Sequence, residues 1–286
     1  MIVKAVGRLG INAICQKMIP NPMIPLSEMM SKVRGKCPLV HFITNYVTVN
    51  DCANMCICCG GSPVMTDAAK DVEPMVGLAS ALVLNIGTLN DRTIESMLIA
   101  GKEANRRNVP VILDPVGVGA TPYRTETAER ILKEVKVSVI KGNHGEISVL
   151  AGLGGEVRGV DSVSGAEDIA IAVKSLAQRT GTIVAATGPV DYVSDGKTTI
   201  ILKNGSEYMA TVSGTGCMVS GVVGAYVGAN GVSVDSVAAG ISAVNIASEI
   251  AVSDGKVFGP GSFRTKLFDA VYNLKGEDAD RLLRRE

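Results

Sequence analysis

Tryptophan is absent from the 286-residue chain, and four Phe and six Tyr leave it with only 3% aromatic residues. Proteins that bind single-stranded nucleic acid use aromatic side chains as stacking platforms, and this chain supplies few. An excess of charge of either sign is also missing, since 28 Lys and Arg balance 28 Asp and Glu. Without a net positive charge the chain does not attract polyanions. We therefore expect neither nucleic acid nor a membrane surface as a partner.

Histidine is scarce, with two residues in the chain, and the seven cysteines form an odd number that does not suit a framework of disulfides. A chain of this length buries a core large enough to be stable without disulfides, so we predict a reducing, cytoplasmic location. Four cysteines crowd between Cys52 and Cys59, whereas His41 and His144 lie elsewhere. We interpret the cluster as small buried helix residues rather than as a zinc site.

Charge is missing altogether from residues 208–234, a stretch long enough to span a membrane but interrupted by six glycines. At the other end of the chain, Lys4 and Arg8 precede a short apolar run without a small-residue cleavage site, so we predict no secretion signal. Residues 1–22 run into the proline-punctuated segment IPNPMIP. They are predicted to form an N-terminal extension, open to disorder, ahead of one domain at 23–286.

Hydrophobic residues are abundant, at 47%, and short runs rich in Val and Ile alternate with helical stretches. Continuous apolar runs are typical of strands buried on both faces, and β-then-α alternation implies right-handed crossovers. We predict one α/β domain with a doubly wound, mostly parallel sheet flanked by helices on both faces. The predicted strands lie in PLVHFIT, ALVLNIGT, VPVILDPVG, VSVIKGN and TIVAATG, followed by VDYVSD and TTIILK as a hairpin. The predicted helices lie around 47–59, 67–76, 91–107, 123–134, 164–179, 215–228, 235–252 and 262–273.

Polar residues or glycines follow the predicted strands, and ligands of such sheets bind beyond the carboxyl ends of the strands. Asp114 ends the run VILD, where a carboxylate can hold a hydrated Mg²⁺, and Lys141 ends another strand. Together they indicate a site for a triphosphate and magnesium. An Asp that only caps the turn before Pro115 is the competing interpretation.

The segment KGNHGEI ends a strand and begins a helix at about Asn143. Glu146 stands three residues later, which is the spacing of a capping box. Capping alone explains this pair, but Glu146 is also a candidate for the metal site.

The segment SGTGCM provides the most specific local signal, because Gly214, Thr215 and Gly216 lead directly into a glycine-spaced apolar helix. Their backbone N–H groups are predicted to be unpaired at the helix N-terminus and to form a cradle for an anion. Cys217 lies in the first helical turn, where we predict a lowered pKa for its thiol. A Cys217–His144 nucleophilic pair is an alternative, but phosphoryl transfer uses more of these residues.

Several separated segments together resemble the hydroxyethylthiazole kinase family of the ribokinase-like group, over residues of about 30–275. The resemblance implies ATP-dependent and Mg²⁺-dependent phosphorylation of the hydroxyethyl group of 4-methyl-5-(2-hydroxyethyl)thiazole, in thiamine salvage, on a ribokinase-like fold. The matching segments are PLVHFITNYVTVNDCAN, GGSPVMTDA, ALVLNIGTL, VPVILDPVGVGATPYRT, KGNHGEI, SGTGCM and GPGSF.

The resemblance also implies a role for each matching residue. It implies thiazole binding by Asn45, Met65 and Gly214, nucleotide binding by Lys141, Asn143 and Thr187, contact of Asp114 and Glu146 with Mg²⁺ through water, and catalysis by Cys217 with the cradle Gly214, Thr215 and Gly216. The family often has Arg in place of Lys141, so a bidentate phosphate contact is replaced by a point charge. Cys217 stands where ribokinase-like relatives usually have an aspartate base.

Two other functions fit the same pattern of residues. The ribokinase-like scaffold serves several small alcohols, so hydroxymethylpyrimidine or pyridoxal is an alternative substrate. The second alternative function is that of a sensor, which binds a nucleotide or thiazole without turnover. The resemblance further implies a homotrimer with sites near the subunit boundaries.

Overall fold

The computed structural model describes residues 26–152 and 166–286, and the predicted extension at 1–22 lies outside them. Eight strands form one sheet in the order β2-β1-β3-β4-β5-β6-β7-β8. Strands β1 to β6 are parallel, and β7 and β8 are added as an antiparallel hairpin. The strands are β1 Leu39–Ile43, β2 Ser62–Met65, β3 Ala81–Asn85, β4 Val111–Asp114, β5 Val139–Asn143, β6 Ile183–Thr187, β7 Asp191–Ser194 and β8 Thr199–Leu202.

Helices cover both faces of the sheet, and each face has its own apolar core. One core is formed with α1, α2 and α8 to α11, and the other with α3 to α7. The helices are α1 Leu26–Lys36, α2 Val49–Cys59, α3 Val72–Val76, α4 Asp91–Arg107, α5 Pro122–Glu134, α6 His144–Ala151, α7 Ala166–Thr180, α8 Thr215–Asn230, α9 Val234–Ser253, α10 Pro260–Asn273 and α11 Gly276–Leu282. The predicted doubly wound, mostly parallel α/β fold is confirmed.

The predicted helix at 67–76 is wrong in its first half, because α3 begins only after Asp71. The Thr66 hydroxyl donates to the Asp71 carboxylate at 2.5 Å and fixes a turn ahead of the helix. Strand β2 was not predicted, since its four half-buried residues include Pro63, which is tolerated at the edge of a sheet. Helices α1 and α11 were not predicted either.

The uncharged stretch at 208–234 contains a short 3₁₀ helix, Glu207–Thr211, and the buried helix α8. Among the described residues, only α9 is long and apolar enough to cross a membrane, and 78% of that apolar window is buried inside the fold. Both helices therefore serve as core helices of the α/β domain.

Helix α8 lies close to the sheet because glycines face it. A Cβ at Gly224 would lie 2.9 Å from Val83 Cγ2 on β3 and 3.1 Å from Val40 Cγ1 on β1. A Cβ at Gly221 would lie 2.9 Å from the ring of Phe42. This close approach carries the start of α8 to the carboxyl ends of the strands.

The close approach can be tested with two matched glycine-to-alanine variants. Gly224→Ala should lower the free energy of unfolding by about 1–3 kcal/mol, because Val40 and Val83 are branched and packed. Gly35→Ala, at an exposed helical position with open space around it, should raise it by about 0.5–1 kcal/mol. Urea unfolding followed by circular dichroism measures both. Equal increases in the free energy of unfolding of the two variants would contradict the close packing of α8.

Candidate active site

The carboxyl ends of the parallel strands meet at one rim of the sheet, and the strand register places the predicted residues there. Asn85 pairs directly with Asp114 across β3 and β4. Leu113 pairs with Ile140, so Asp114 and Lys141 follow on neighbouring strands. The crevice at this rim is the expected ligand position in a doubly wound sheet.

A chain of hydrogen bonds joins three of these strand ends. Asn45 Nδ2 donates to Asn85 Oδ1 at 2.9 Å, and Asn85 Nδ2 donates to Asp114 Oδ2 at 2.8 Å. Ser220 on α8 donates to the same Asp114 oxygen, also at 2.8 Å. The side-chain bonds of Asp114 therefore go to the neighbouring strand and to α8, whereas a turn-capping Asp would bond the backbone after Pro115.

Asn45 follows β1 at the rim of the sheet, but all of its side-chain hydrogen-bonding groups are bonded within the protein. Its Oδ1 accepts hydrogen bonds from the backbone N–H and the hydroxyl of Thr48, at 3.1 and 3.0 Å. Its Nδ2 donates to Asn85 and to Cys217 Sγ. Both oxygen lone pairs and both amide protons thus have partners, and the side chain holds the rim together.

Cys217 lies between these amides, and its sulfur accepts from Asn45 Nδ2 at 3.3 Å and from Asn85 Nδ2 at 3.2 Å. The predicted lowering of its pKa is wrong. Burial, and then the nearby Asp114 carboxylate, raise the pKa of the Cys217 thiol above its ordinary value, although Lys141 opposes them. The thiol therefore stays protonated at neutral pH.

The start of α8 has the backbone geometry that the predicted anion cradle requires. Gly214 adopts the left-handed conformation, with φ of 85°, and a Cβ there would lie 2.1 Å from Thr48 Cγ2. Among the described residues, the backbone N–H groups of Thr215, Gly216 and Cys217 donate to no protein acceptor. Unpaired N–H groups and the positive end of the helix dipole provide a binding place for an anion.

Lys141 joins the strand rim to the cradle. The side chain is 2% exposed, and its ammonium donates to the Gly216 carbonyl at 2.9 Å. Its positive charge lowers the pKa of Glu146 and of Cys217, although burial raises both overall. Lys141 therefore lies beside the start of α8 and within electrostatic reach of Glu146 and Cys217.

Glu146 is part of the capping box of α6 and also lies near Asp114, the other candidate metal-binding carboxylate. The Glu146 N–H donates to Asn143 Oδ1 at 2.8 Å, and Glu146 Oε2 accepts from the Asn143 N–H at 2.7 Å. Oε1 accepts from the Gly117 N–H at 2.9 Å. Burial, and then the charge of Asp114, raise the pKa of Glu146. Capping and proximity to Asp114 thus occur together.

The remaining predicted residues lie around this centre. Thr187 ends β6, pairs with Asn143 in register and donates to the Gly142 carbonyl at 3.2 Å. Met65 ends the edge strand β2 and is half-buried. The nucleophilic pair has no geometric support, since the described hydrogen bond of His144 Nε2 goes to the Val190 carbonyl at 2.8 Å.

Sequence reasoning missed the contribution of three polar residues at this site. Asn85, at the end of β3, bridges Asn45, Asp114 and Cys217. Ser220 binds Asp114, and its spacing of four residues from Gly216 could have placed it on the same helical face. Thr48 holds Asn45.

An anion cradle, a lysine and buried carboxylates at the rim of this sheet are the features expected of a small-molecule kinase of the ribokinase-like class. The model of the hydroxyethylthiazole kinase family matches residues 30–277. The chain belongs to the hydroxyethylthiazole kinase family.

Individual relatives agree with the family match. The hydroxyethylthiazole kinase of Thermoanaerobacter pseudethanolicus is 53% identical over 253 residues, which cover 87% of this chain and 95% of the relative. That of Methanocella arvoryzae is 51% identical, with 88% and 94% covered.

Solved structures agree as well. The hydroxyethylthiazole kinase structure from Pyrococcus horikoshii is similar with a TM-score of 0.84 and 39% identity, over 91% of this chain and 98% of that one. Bacillus subtilis pyridoxal kinase, at 17% identity and a TM-score of 0.57 over 74% and 91%, shares the fold.

The protonated state of Cys217 can be tested by alkylation. Iodoacetamide at pH 7 should label Cys217 at least about tenfold more slowly than the exposed Cys37, since the thiolate is the reacting form and access is limited. Mass spectrometry of peptides after timed quenching measures both rates. Labelling of Cys217 as fast as Cys37 would support the lowered pKa predicted from the helix N-terminus.

Proposed function

We propose that the protein is an ATP-dependent kinase that phosphorylates the hydroxyethyl group of 4-methyl-5-(2-hydroxyethyl)thiazole, in thiamine salvage. The observation that supports this most is the convergence of the cradle, Lys141 and Asp114 at one point of the sheet rim. A phosphoryl group in transit needs donors where negative charge develops and a fixed position for the attacking alcohol. The names of the relatives supply the particular alcohol.

The cradle and Lys141 act on the transferring phosphoryl group in this proposal. The N–H groups of Thr215, Gly216 and Cys217 donate to its oxygens, and the Lys141 ammonium adds a full positive charge beside Gly216. Such donors are held in place before the reaction, so they need no reorganisation as charge develops. Because its pKa is raised, Cys217 is held as the protonated thiol, which cannot accept the alcohol proton, and it mainly positions the substrate hydroxyl.

Mg²⁺ is the proposed metal, and the donor set fits it. Asp114 Oδ1 accepts no hydrogen bond among the described residues, and Glu146 lies close enough for Asp114 to raise its pKa. Mg²⁺ keeps much of its water shell in protein sites, so the two carboxylates are proposed to hold it mainly through water. When bound, Mg²⁺ neutralises phosphate charge.

The nucleotide is proposed to lie along the ends of β5 and β6, near Lys141, Asn143 and Thr187. Lys141 provides a point charge for phosphate, and Thr187 borders the same crevice. The thiazole is proposed to lie on the other side of the cradle, against Met65 and the backbone of Gly214. Asn45 is proposed to shape this pocket through Cys217, because its own polar atoms are bonded within the protein.

We also propose a homotrimer with sites near the subunit boundaries, in the cytoplasm. Strand β2 is an edge strand that is half-exposed along its length, and Met65 ends it. Tyr46 and Val47, which follow Asn45, are 78% and 62% exposed and would be covered by a neighbouring subunit. The six cysteines of the described residues are free thiols, which suits a reducing compartment.

The activity is tested by measuring ADP release with three alcohols side by side: the thiazole alcohol, hydroxymethylpyrimidine and pyridoxal. We expect the highest kcat/KM with the thiazole alcohol. Turnover with hydroxymethylpyrimidine or pyridoxal alone would identify another alcohol kinase on the same scaffold. Binding of ATP and the thiazole without ADP release would identify a sensor.

The metal proposal is tested with Asp114→Asn. The variant should lower activity by about 10- to 100-fold at limiting Mg²⁺, with partial recovery as Mg²⁺ is raised, because an outer ligand of the ion is lost. ADP release is measured over a series of Mg²⁺ concentrations. Asp195→Asn, an exposed carboxylate in the β7–β8 hairpin, is the matched control. Wild-type rates at all concentrations would leave Asp114 a structural residue.

A further inference from the structure

Asp191 is a buried carboxylate that the proposed reaction does not use. It is the first residue of β7, four residues after Thr187 at the end of β6, and it is 2% exposed. Oδ1 accepts from the Gly188 backbone N–H at 2.9 Å, and Oδ2 accepts from Asn245 Nδ2 on α9 at 2.6 Å. The carboxylate therefore ties the turn between β6 and β7 to a core helix.

This arrangement is costly for the protein. Burial raises the pKa of Asp191 to about 6, although both hydrogen bonds and the field of Lys141 act in the opposite direction. A neutral side chain of the same shape would avoid the desolvation cost. Titratable groups that are strongly perturbed by burial are concentrated at functional sites.

The turn held by Asp191 is also fixed from its other side. The Val190 carbonyl bonds His144 Nε2 at 2.8 Å, and a Cβ at Gly188 would lie 2.6 Å from atoms of the same imidazole ring. Thr187, at the start of the turn, donates to the Gly142 carbonyl on β5. The Gly188 N–H and the Val190 carbonyl are thus bonded to two different side chains, Asp191 and His144.

We propose that Asp191 is a positioning residue for the nucleoside triphosphate, because it fixes the Gly188 peptide and thereby the Thr187 end of β6. The inference rests on the proposed function, which places the nucleotide along β5 and β6. Asp191 acts through its hydrogen bonds to Gly188 and Asn245 and does not need its charge to do so. The thiazole pocket at β1 and β2 lies at the other end of the parallel part of the sheet and is not reached by this contact.

Two substitutions separate hydrogen bonding from charge. Asp191→Ala removes both acceptors and should raise the KM for ATP about tenfold, the size expected for loss of a hydrogen bond to a charged group. Asp191→Asn keeps an acceptor for Gly188, and rotation of the Asn245 amide restores the second bond. This variant should change the KM for ATP by no more than about twofold. The KM for the thiazole alcohol should stay within about twofold in both.

Nucleotide binding should be measured without turnover as well. Calorimetric titration with ADP and Mg²⁺ should show weaker binding by Asp191→Ala and near-normal binding by Asp191→Asn. Asp195→Asn, in the same hairpin but exposed, should match the wild type in every measurement. Because this readout needs no thiazole, it separates failure of the inference from failure of the proposed substrate.

The pH dependence of thermal unfolding provides a further test, because the raised pKa of Asp191 fixes the direction of the expected change in Tm. A raised pKa in the folded state means that the stability due to Asp191 is full at low pH and is lost as pH rises through about 6. Asp191→Asn should therefore have a higher Tm than the wild type at pH 8, with a smaller gap at pH 5. Two other titratable groups lie near this carboxylate: Lys141 on β5, whose charge lowers the pKa of Asp191, and His144 on α6, whose own pKa is lowered by burial.

The outcomes decide the proposal. A rise in the KM for ATP with Asp191→Ala that Asp191→Asn does not share supports the positioning role. Equal rises in the KM values of both substrates, or a loss of Tm with unchanged nucleotide binding, would reduce Asp191 to a structural residue. Equal weakening of ADP binding in both variants would contradict hydrogen bonding without charge as the role of Asp191.

Discussion

The close packing of α8 on strands β1 and β3 is the constraint on which the rest of the site depends. Only glycine allows this distance, because a Cβ at Gly224 or Gly221 would overlap Val83 or Phe42. The helix start is thereby placed at the strand ends, where Ser220 reaches Asp114 and the Gly216 carbonyl meets Lys141. A cradle set farther from the sheet would have unpaired N–H groups but no carboxylate or ammonium beside it.

The strand ends are in turn held by amides, which have both donors and an acceptor. Asn85 accepts from Asn45 and donates to Asp114 and Cys217, so three strands and one helix are coupled through a single side chain. A buried network in which every member has a partner is rigid, and loss of one member leaves several groups unpaired. Rigidity here benefits transfer chemistry, which depends on alignment of the alcohol with the phosphoryl group.

The parallel sheet and most helices were predictable because continuous Val and Ile runs and glycine or proline boundaries are local signals. The helix start at Thr215 was predictable for the same reason, since Gly214 to Gly216 lead into an apolar run. Strand β2 was not, because its half-buried residues around Pro63 show no apolar run. The pKa of Cys217 depends on burial and on Asp114, which is distant in sequence, so a rule based on the helix N-terminus gave the wrong direction.

Charge explains why a nucleotide would enter this site together with a cation. Asp114, Glu146 and Asp191 are all buried, and the Lys141 ammonium lowers the pKa of the last two without compensating for burial. A triphosphate adds further negative charge, whereas a helix N-terminus contributes only about half a positive charge. Lysine at position 141 provides one positive charge at a single point, whereas arginine would delocalise that charge over its planar guanidinium. A divalent ion beside Asp114 would therefore supply the charge that the protein lacks.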